Sequence, residues 1–291
     1  MAGLRGLCNW RIFPLLFFYN DGMRYETVNN LKLPKIGFGT WKIGGESQAD
    51  PSSDPASLQA LCSALELGYT HFDTAEVYAN GHTEELLGTA IREVGVSRES
   101  LFITSKVSPE HLKFDQVLHS CENSLDRLGM DYIDLYLIHW PKVGMDLKES
   151  FRALNQLVRQ GKVRHLGVSN FKLRHLKEAV AQSETALLTN QVPYSVPERT
   201  YQTNGVLEYC QQNDILLTAY SPVKRRNIKS NPVLKKIAAK RGLTSQQVAL
   251  AWLVSQERVI TIPMSTNPQH QKENLQAGEI VLSSEEMEQL G

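Results

Sequence analysis

Short apolar runs and amphipathic segments alternate along this chain from residue 35 onward. Runs rich in Ile, Val, Leu and Phe occupy Lys35–Trp41, Thr70–Asp73, Leu101–Lys106, Ile133–His139, Val163–Val168, Leu187–Gln191, Ile215–Tyr220 and Val259–Pro263. Continuous apolar runs of this length predict strands buried on both faces. Between them, helical periodicity predicts helices over Ala56–Leu67, Glu84–Glu93, Phe114–Leu128, Leu147–Arg159, Lys172–Gln182, Gly205–Gln212, Val233–Lys240 and Ser245–Gln256. Another is predicted from Pro268, and one closes the chain at Ser284–Leu290. The period is clearest where Phe114, Val117, Leu118, Cys121, Leu125 and Leu128 share one helical face. Asn231-Pro232 reads as an N-cap followed by a first-turn proline, and Thr244 with Gln247 as a capping box. Ahead of the first strand, Tyr25–Val28 and Leu31–Leu33 flank Asn29-Asn30, which predicts a short hairpin.

Eight such strands interleaved with helices place the chain in the α/β class and predict a closed (β/α)8 TIM barrel with a short N-terminal β-hairpin. The rival is an open doubly wound sheet. A nucleotide-binding sheet of that kind carries G-x-G-x-x-G at its first turn, but here Gly37-Phe38-Gly39 meets Lys42 where the third glycine belongs. No linker interrupts the alternation, so residues 23–291 read as one domain. Residues 1–22 read as an extension outside the fold, with Met23 as the natural start. The apolar run Ile12–Tyr19 contains Pro14 and is far short of a membrane span, and a targeting segment is the alternative reading.

Composition narrows the picture. The 31 basic and 31 acidic residues cancel, which argues against nucleic acid as the main partner. The 4 cysteines, Cys8, Cys62, Cys121 and Cys210, are scattered without metal-binding spacing. They read as free thiols in a reducing compartment, hence a cytoplasmic protein.

In a TIM barrel, chemistry sits at the C-terminal ends of the strands. The polar residues ending the apolar runs are Thr40-Trp41, Asp73, Lys106, His139-Trp140, Ser169-Asn170, Gln191, Tyr220-Ser221 and Ser265-Thr266. Each has a structural reading: Asp73 as a turn cap, Lys106 as a solvated rim residue, His139 as a turn histidine before Trp140-Pro141. An Asp, a Lys and a His ending three successive strands are better explained jointly as a site.

Several ordered motifs resemble the aldo-keto reductases. Phe72-Asp73-Thr74-Ala75-Glu76-Val77-Tyr78 resembles that family's aspartate-to-tyrosine signature, and Gly37-Phe38-Gly39-Thr40-Trp41 its first barrel strand. The run from Asp131 to Pro141 resembles its histidine strand; Gly167-Val168-Ser169-Asn170-Phe171 and the segment from Ile262 to Asn274 match further motifs. The likeness spans Tyr25 to Leu290. It implies NAD(P)H-dependent reduction of a small carbonyl substrate by a monomer, without metal, membrane or nucleic acid. Asp73, Tyr78, Lys106 and His139 would be catalytic. Tyr78 would donate a proton, with Lys106 lowering its pKa from about 10, Asp73 holding Lys106, and His139 bonding the substrate oxygen. The resemblance further implies that Thr40, Ser169, Asn170, Gln191, Tyr220, Ser221, Lys224, Met264, Ser265, Thr266, His270, Glu273 and Asn274 contact the cofactor. Trp41, Val77 and Trp140 would line the substrate mouth.

Two departures bear on the cofactor. The family often has a lysine where this chain has Met264 and an arginine where it has His270. NADPH is still expected, with NADH as a second substrate. The competing readings are a metal-dependent hydrolase, which would want paired histidines at a strand end, a glycosidase, and a short-chain dehydrogenase suggested by Tyr220-Ser221-Pro222-Val223-Lys224, where Pro222 breaks the helix that pair needs. A cofactor-binding barrel with little turnover is the alternative from another class. Short loops from Trp140 to Leu147 and from Ser221 to Asn231 predict an open pocket and small aldehydes or reactive ketones as substrates.

Overall fold

The computed structural model describes residues 22–223, 228 and 230–291. The extension before Gly22, including Cys8, and the cofactor candidate Lys224 lie outside the described residues. Strands β1 (Tyr25–Val28) and β2 (Leu31–Pro34) form the antiparallel hairpin. Its turn residues Asn29 and Asn30 adopt φ of 47° and 63°, the left-handed backbone that a two-residue hairpin turn requires and asparagine tolerates. The barrel strands follow as β3 (Phe38–Gly39), β4 (His71–Asp73), β5 (Phe102–Val107), β6 (Ile133–Ile138), β7 (Val163–Ser169), β8 (Leu187–Pro193), β9 (Leu216–Tyr220) and β10 (Val259–Thr261). They pair in parallel in sequence order.

The circle closes between the first and last strands. Ile36 bridges Thr261, the Gly37 and Gly39 amides donate to the Thr261 and Pro263 carbonyls, and the Thr261 amide donates to Lys35. Only Phe38–Gly39 forms ladder pairs with β4, so the first strand is much shorter than the apolar run that suggested it. At this seam a Cβ on Gly39 would stand 2.6 Å from the Ile262 carbonyl oxygen. Glycine is what lets the two strands meet.

The helices are α1 (Asp54–Glu66), α2 (His82–Val94), α3 (Phe114–Leu128), α4 (Leu147–Arg159), α5 (Leu173–Gln182), α6 (Thr200–Thr203), α7 (Val206–Gln212), α8 (Pro232–Arg241), α9 (Ser245–Val254), α10 (Pro268–Gln276) and α11 (Ser284–Leu290). The caps read from sequence are present: Asn231 accepts from the Val233 and Leu234 amides, and Thr244 with Gln247 forms the reciprocal box. Among the described residues no helix is long and apolar enough to cross a membrane. Cys121 and Cys210 are buried thiols, pushed up to about 12 by burial, which makes both unreactive.

The hairpin caps the end of the barrel away from the strand C-termini. Val28 and Leu33 pack with Leu135, Leu188, Leu216 and Ile260. Glu26 and the Asn29 amide bind Arg258 and Asp214, residues that lead into β10 and β9. Burial of Val28 and Leu33 on the hairpin face, the ion pair and the hydrogen bond close this end of the barrel.

Helix packing yields one stability prediction. Gly88 on α2 lies so close to the end of α3 that a Cβ would stand 2.3 Å from the Leu128 carbonyl oxygen. Helix propensity alone says that Gly88→Ala should stabilise by about 1 kcal/mol. The clash is with backbone, which cannot swing aside, so overpacking dominates and the variant should lose about 1–3 kcal/mol. A urea midpoint equal to or above that of the wild type would show that α2 and α3 separate at little cost.

Candidate active site

Three strand ends and the turn after the first of them build the cluster. Asp73 ends β4, Lys106 lies near the end of β5, His139 follows β6, and Tyr78 sits on the turn after β4. That turn, Tyr78–Gly81, is a distorted 3-10 element. Ala79 and Asn80 both have positive φ, 47° and 55°, and left-handed backbone at a non-glycine residue costs about 1–2 kcal/mol. Neighbours hold the turn in place. The Ala79 amide donates to the Glu46 carbonyl, and Thr83 Oγ1 donates to the Ile43 carbonyl. Arg127 packs against Gly81 and donates to the buried Glu84, which also accepts from Ser105 Oγ at 2.5 Å. Ser105 precedes Lys106 on β5, so one buried network braces both the tyrosine turn and the lysine strand.

Lys106 is fully buried and uses all three ammonium protons. Its Nζ donates to Asp73 Oδ1 at 2.6 Å, to the Thr74 carbonyl at 2.8 Å and to Tyr78 Oη at 3.2 Å. Burial pulls the ammonium down, but Asp73 and Tyr78 together outweigh it and the net shift is upward. The resemblance implies that Lys106 lowers the tyrosine. In the folded chain burial is the larger influence, and the Tyr78 phenol lies above its ordinary value despite Lys106. Desolvation of the phenolate exceeds what one cation already shared with Asp73 can recover. Tyr78 is therefore a protonated phenol whose oxygen accepts from Lys106.

His139 stacks edge-on to Tyr78 with ring centroids 5.6 Å apart. Burial, with Lys106 adding to it, lowers the imidazole to about 3, so it is neutral at physiological pH. Trp41 also meets Tyr78 edge-on, with ring centroids 5.0 Å apart.

These groups open into a cavity of about 900 Å³. Its lining includes Thr40, Trp41, Asp73, Val77, Tyr78, His139, Trp140, Ser169, Asn170, Gln191, Tyr220, Ser221, Met264 and Thr266, all expected from sequence. Along one wall Ser169 Oγ donates to the Gln191 carbonyl, and Asn170 Nδ2 donates to Ser169 Oγ and to the His139 carbonyl. Tyr220 Oη donates to Asn170 Oδ1 at 2.9 Å. A buried hydroxyl and two buried primary amides beside a flat phenol ring match the chemistry of an aromatic ring bearing a carboxamide. The cavity is large enough to take such a ring with its sugar and phosphates.

The cofactor candidates of the segment from Met264 to Asn274 differ in exposure. Ser265 and Asn274 are buried, Met264 and Glu273 half-buried, and Thr266 and His270 exposed. Glu273 accepts from Gln269. The N-terminus of α10 is capped from within the chain. Asn267 Oδ1 accepts from both the Gln269 and His270 amides, and Pro268 has no N–H. The cap therefore occupies the donors that a phosphate would otherwise take. Pro222 and Val223, within the run from Ser221 to Lys224 that the resemblance sets near the cofactor pyrophosphate, also line the cavity, and sequence reasoning missed Lys42 and Ile262. Lys42 follows Trp41 directly and could have been flagged by that position alone.

A closed parallel barrel with a buried Lys–Asp–Tyr cluster beside a carboxamide-shaped wall defines a class, the barrel oxidoreductases that use a nicotinamide cofactor. The family model "Aldo/keto reductase family" matches residues 35–291. A glyoxal reductase of Bacillus subtilis is 38% identical over 263 residues, covering 90% of this chain and 89% of that protein. Among solved structures, the thermostable aldo-keto reductase Tm1743 superposes with a TM-score of 0.88 at 45% identity, covering 92% of this chain and 98% of that one. An aldo-keto reductase of Klebsiella pneumoniae in complex with NADPH superposes at 0.82 with 35% identity, covering 92% and 94%. The chain belongs to the aldo/keto reductase family and is an NAD(P)H-dependent oxidoreductase that acts in carbonyl reduction.

Proposed function

We propose that this chain reduces small aldehydes and reactive ketones, 1,2-dicarbonyls among them, with Tyr78 as the proton donor and NADPH as the preferred cofactor. The observation that carries the reading is the hydrogen bond from Lys106 Nζ to Tyr78 Oη at 3.2 Å. Because Tyr78 accepts from the ammonium, its own proton is left to point elsewhere, and Tyr78 lines the cavity. NADPH, when bound, supplies the hydride that reduces the carbonyl carbon. The chain does the rest. Neutral His139 hydrogen-bonds the carbonyl oxygen and holds it against Tyr78. As charge develops on that oxygen, Tyr78 gives up its proton and Lys106 stabilises the phenolate left behind. Asp73 keeps the ammonium in place. Ser169, Asn170 and Gln191 would bind the nicotinamide carboxamide, and Tyr220 would stack on the ring.

Small substrates follow from the rim. Trp41 and Trp140 are the large apolar groups at the mouth, both substantially exposed, and the segment between β6 and α4 is short. An open mouth makes few contacts and discriminates weakly. The name of the glyoxal reductase relative points the same way. The site is complete within one chain, which supports action as a monomer. The test is oxidation of NADPH with a panel from glyoxal and methylglyoxal to a steroid ketone. Turnover confined to the bulky ketone, or quenching of tryptophan fluorescence by NADPH without turnover of any member, would sink the proposal.

Cofactor preference should be weaker than is usual in the family. A 2′-phosphate gains about 1.5–3 kcal/mol from each charged hydrogen bond. Met264 supplies no charge, His270 is an imidazole rather than a guanidinium, and Asn267 already occupies the first amides of α10. Met264→Lys should raise the ratio of kcat/KM for NADPH over NADH by about tenfold or more, equivalent to ~1.4 kcal/mol. An unchanged ratio in a wild type that already favours NADPH strongly would mean that another basic residue holds the phosphate.

A further inference from the structure

Gln191 does more than line the wall beside Ser169 and Asn170. It sits on β8, four strands from β4 around the sheet, and is 3% exposed. Its side chain reaches across the barrel interior and Nε2 donates to Asp73 Oδ2 at 2.7 Å. Asp73 thus divides its two oxygens, Oδ1 for Lys106 and Oδ2 for Gln191. A carboxylate can only accept, so the contact fixes which way the amide faces: nitrogen toward Asp73, leaving the carbonyl end as an acceptor. An acceptor is what the NH2 of a carboxamide requires. One side chain therefore links the wall that fits a nicotinamide to the cluster that holds the proton donor.

We infer that Gln191 is a positioning residue for Asp73, holding the carboxylate in the orientation that aims Lys106 at Tyr78, and so couples the cofactor wall to the proton-donating cluster. The inference rests on Tyr78 being the donor. The groups facing the contact are Asp73, Lys106, Tyr78 and His139, and Gln191 is the partner that Asp73 Oδ2 has beyond its own strand. Without that donor a buried oxygen is left unpaired, and the carboxylate can turn about its last bond to share both oxygens with Lys106. The ammonium then moves with it, and its weakest bond, the 3.2 Å one to Tyr78, is the first to be lost.

Two variants test this in the full chain with saturating NADPH. Gln191→Met keeps the length and removes the donor; kcat should fall at least tenfold. Gln191→Glu keeps the volume and sets a second carboxyl against Asp73. The two can share one proton but cannot both be charged at this distance. Its kcat should therefore persist at acidic pH and be lost as the pair gives up the shared proton, an ionisation absent from the wild-type profile. A residue that only binds cofactor predicts something else: a raised KM and Kd for NADPH, with kcat at saturation and its pH profile unmoved in both variants. That result overturns the inference. Tyr78→Phe run alongside separates the two readings. Turnover retained there overturns the donor assignment and this inference with it; turnover lost there with unmoved Gln191 profiles overturns this inference alone.

Discussion

Replacing Tyr78 by phenylalanine should lower turnover by about 100-fold to 10,000-fold while fold and cofactor affinity persist. The change removes one hydroxyl from a ring packed against Trp41 and His139, and those ring contacts do not need the oxygen. What disappears is the acceptor for the third Lys106 proton and the proton facing the cavity. Single-turnover reduction of methylglyoxal, with NADPH affinity read by fluorescence, separates the two effects. Carbonyl reduction within a few-fold of the wild type would remove Tyr78 from the donor role. The wild-type pH profile should support the same assignment. Tyr78 lies above its ordinary value through burial, and His139, depressed to about 3 by burial, is already neutral. Neither group changes state between about pH 5 and pH 9, so kcat should be flat across that range. A limb centred near neutrality would point to a different acid.

Lys106→Met should cost both activity and stability, for separable reasons. The ammonium neutralises Asp73 in an ion pair that is 0% and 2% exposed at its two ends. Removing one partner of a buried pair strands the other charge and costs about 3–5 kcal/mol. Activity should fall by about 100-fold or more, because the phenolate formed at Tyr78 loses its only adjacent cation among the described residues. The double variant Asp73→Asn with Lys106→Met removes the stranded charge. It should regain most of the stability, read as the urea midpoint, and none of the activity. Recovery of turnover in the double variant would show that the pair serves folding alone.

Much of this was legible in the chain itself. The alternation of apolar runs with amphipathic segments indicated eight parallel strands and the barrel, because a strand buried on both faces must be apolar throughout and a helix on its outside must be apolar on one stripe. Strand ends mark the mouth of such a barrel, so Asp73, Lys106 and His139 group together from the sequence alone. The motifs extended the group to Tyr78 and to the wall of Ser169, Asn170, Gln191 and Tyr220. Local cap chemistry at Asn231 and Thr244 was equally readable, since it depends on neighbours within one turn.

Tertiary structure decided what depends on distance through space. The first strand pairs with β4 only at Phe38–Gly39, while on its other edge the Gly37 and Gly39 amides close the barrel onto Thr261 and Pro263. Whether the Tyr78 phenol ends above or below its ordinary value turns on burial against charge. Burial is a property of everything packed around the ring, and it outweighs a lysine that the motif alone would credit. At the start of α10, Asn267 takes both the Gln269 and His270 amides, an occupation that only the folded helix shows. The bond between Gln191 and Asp73 joins residues 118 positions apart along the chain. Nothing local encodes it: only closure of the sheet brings the ends of β4 and β8 within reach of one another across the barrel.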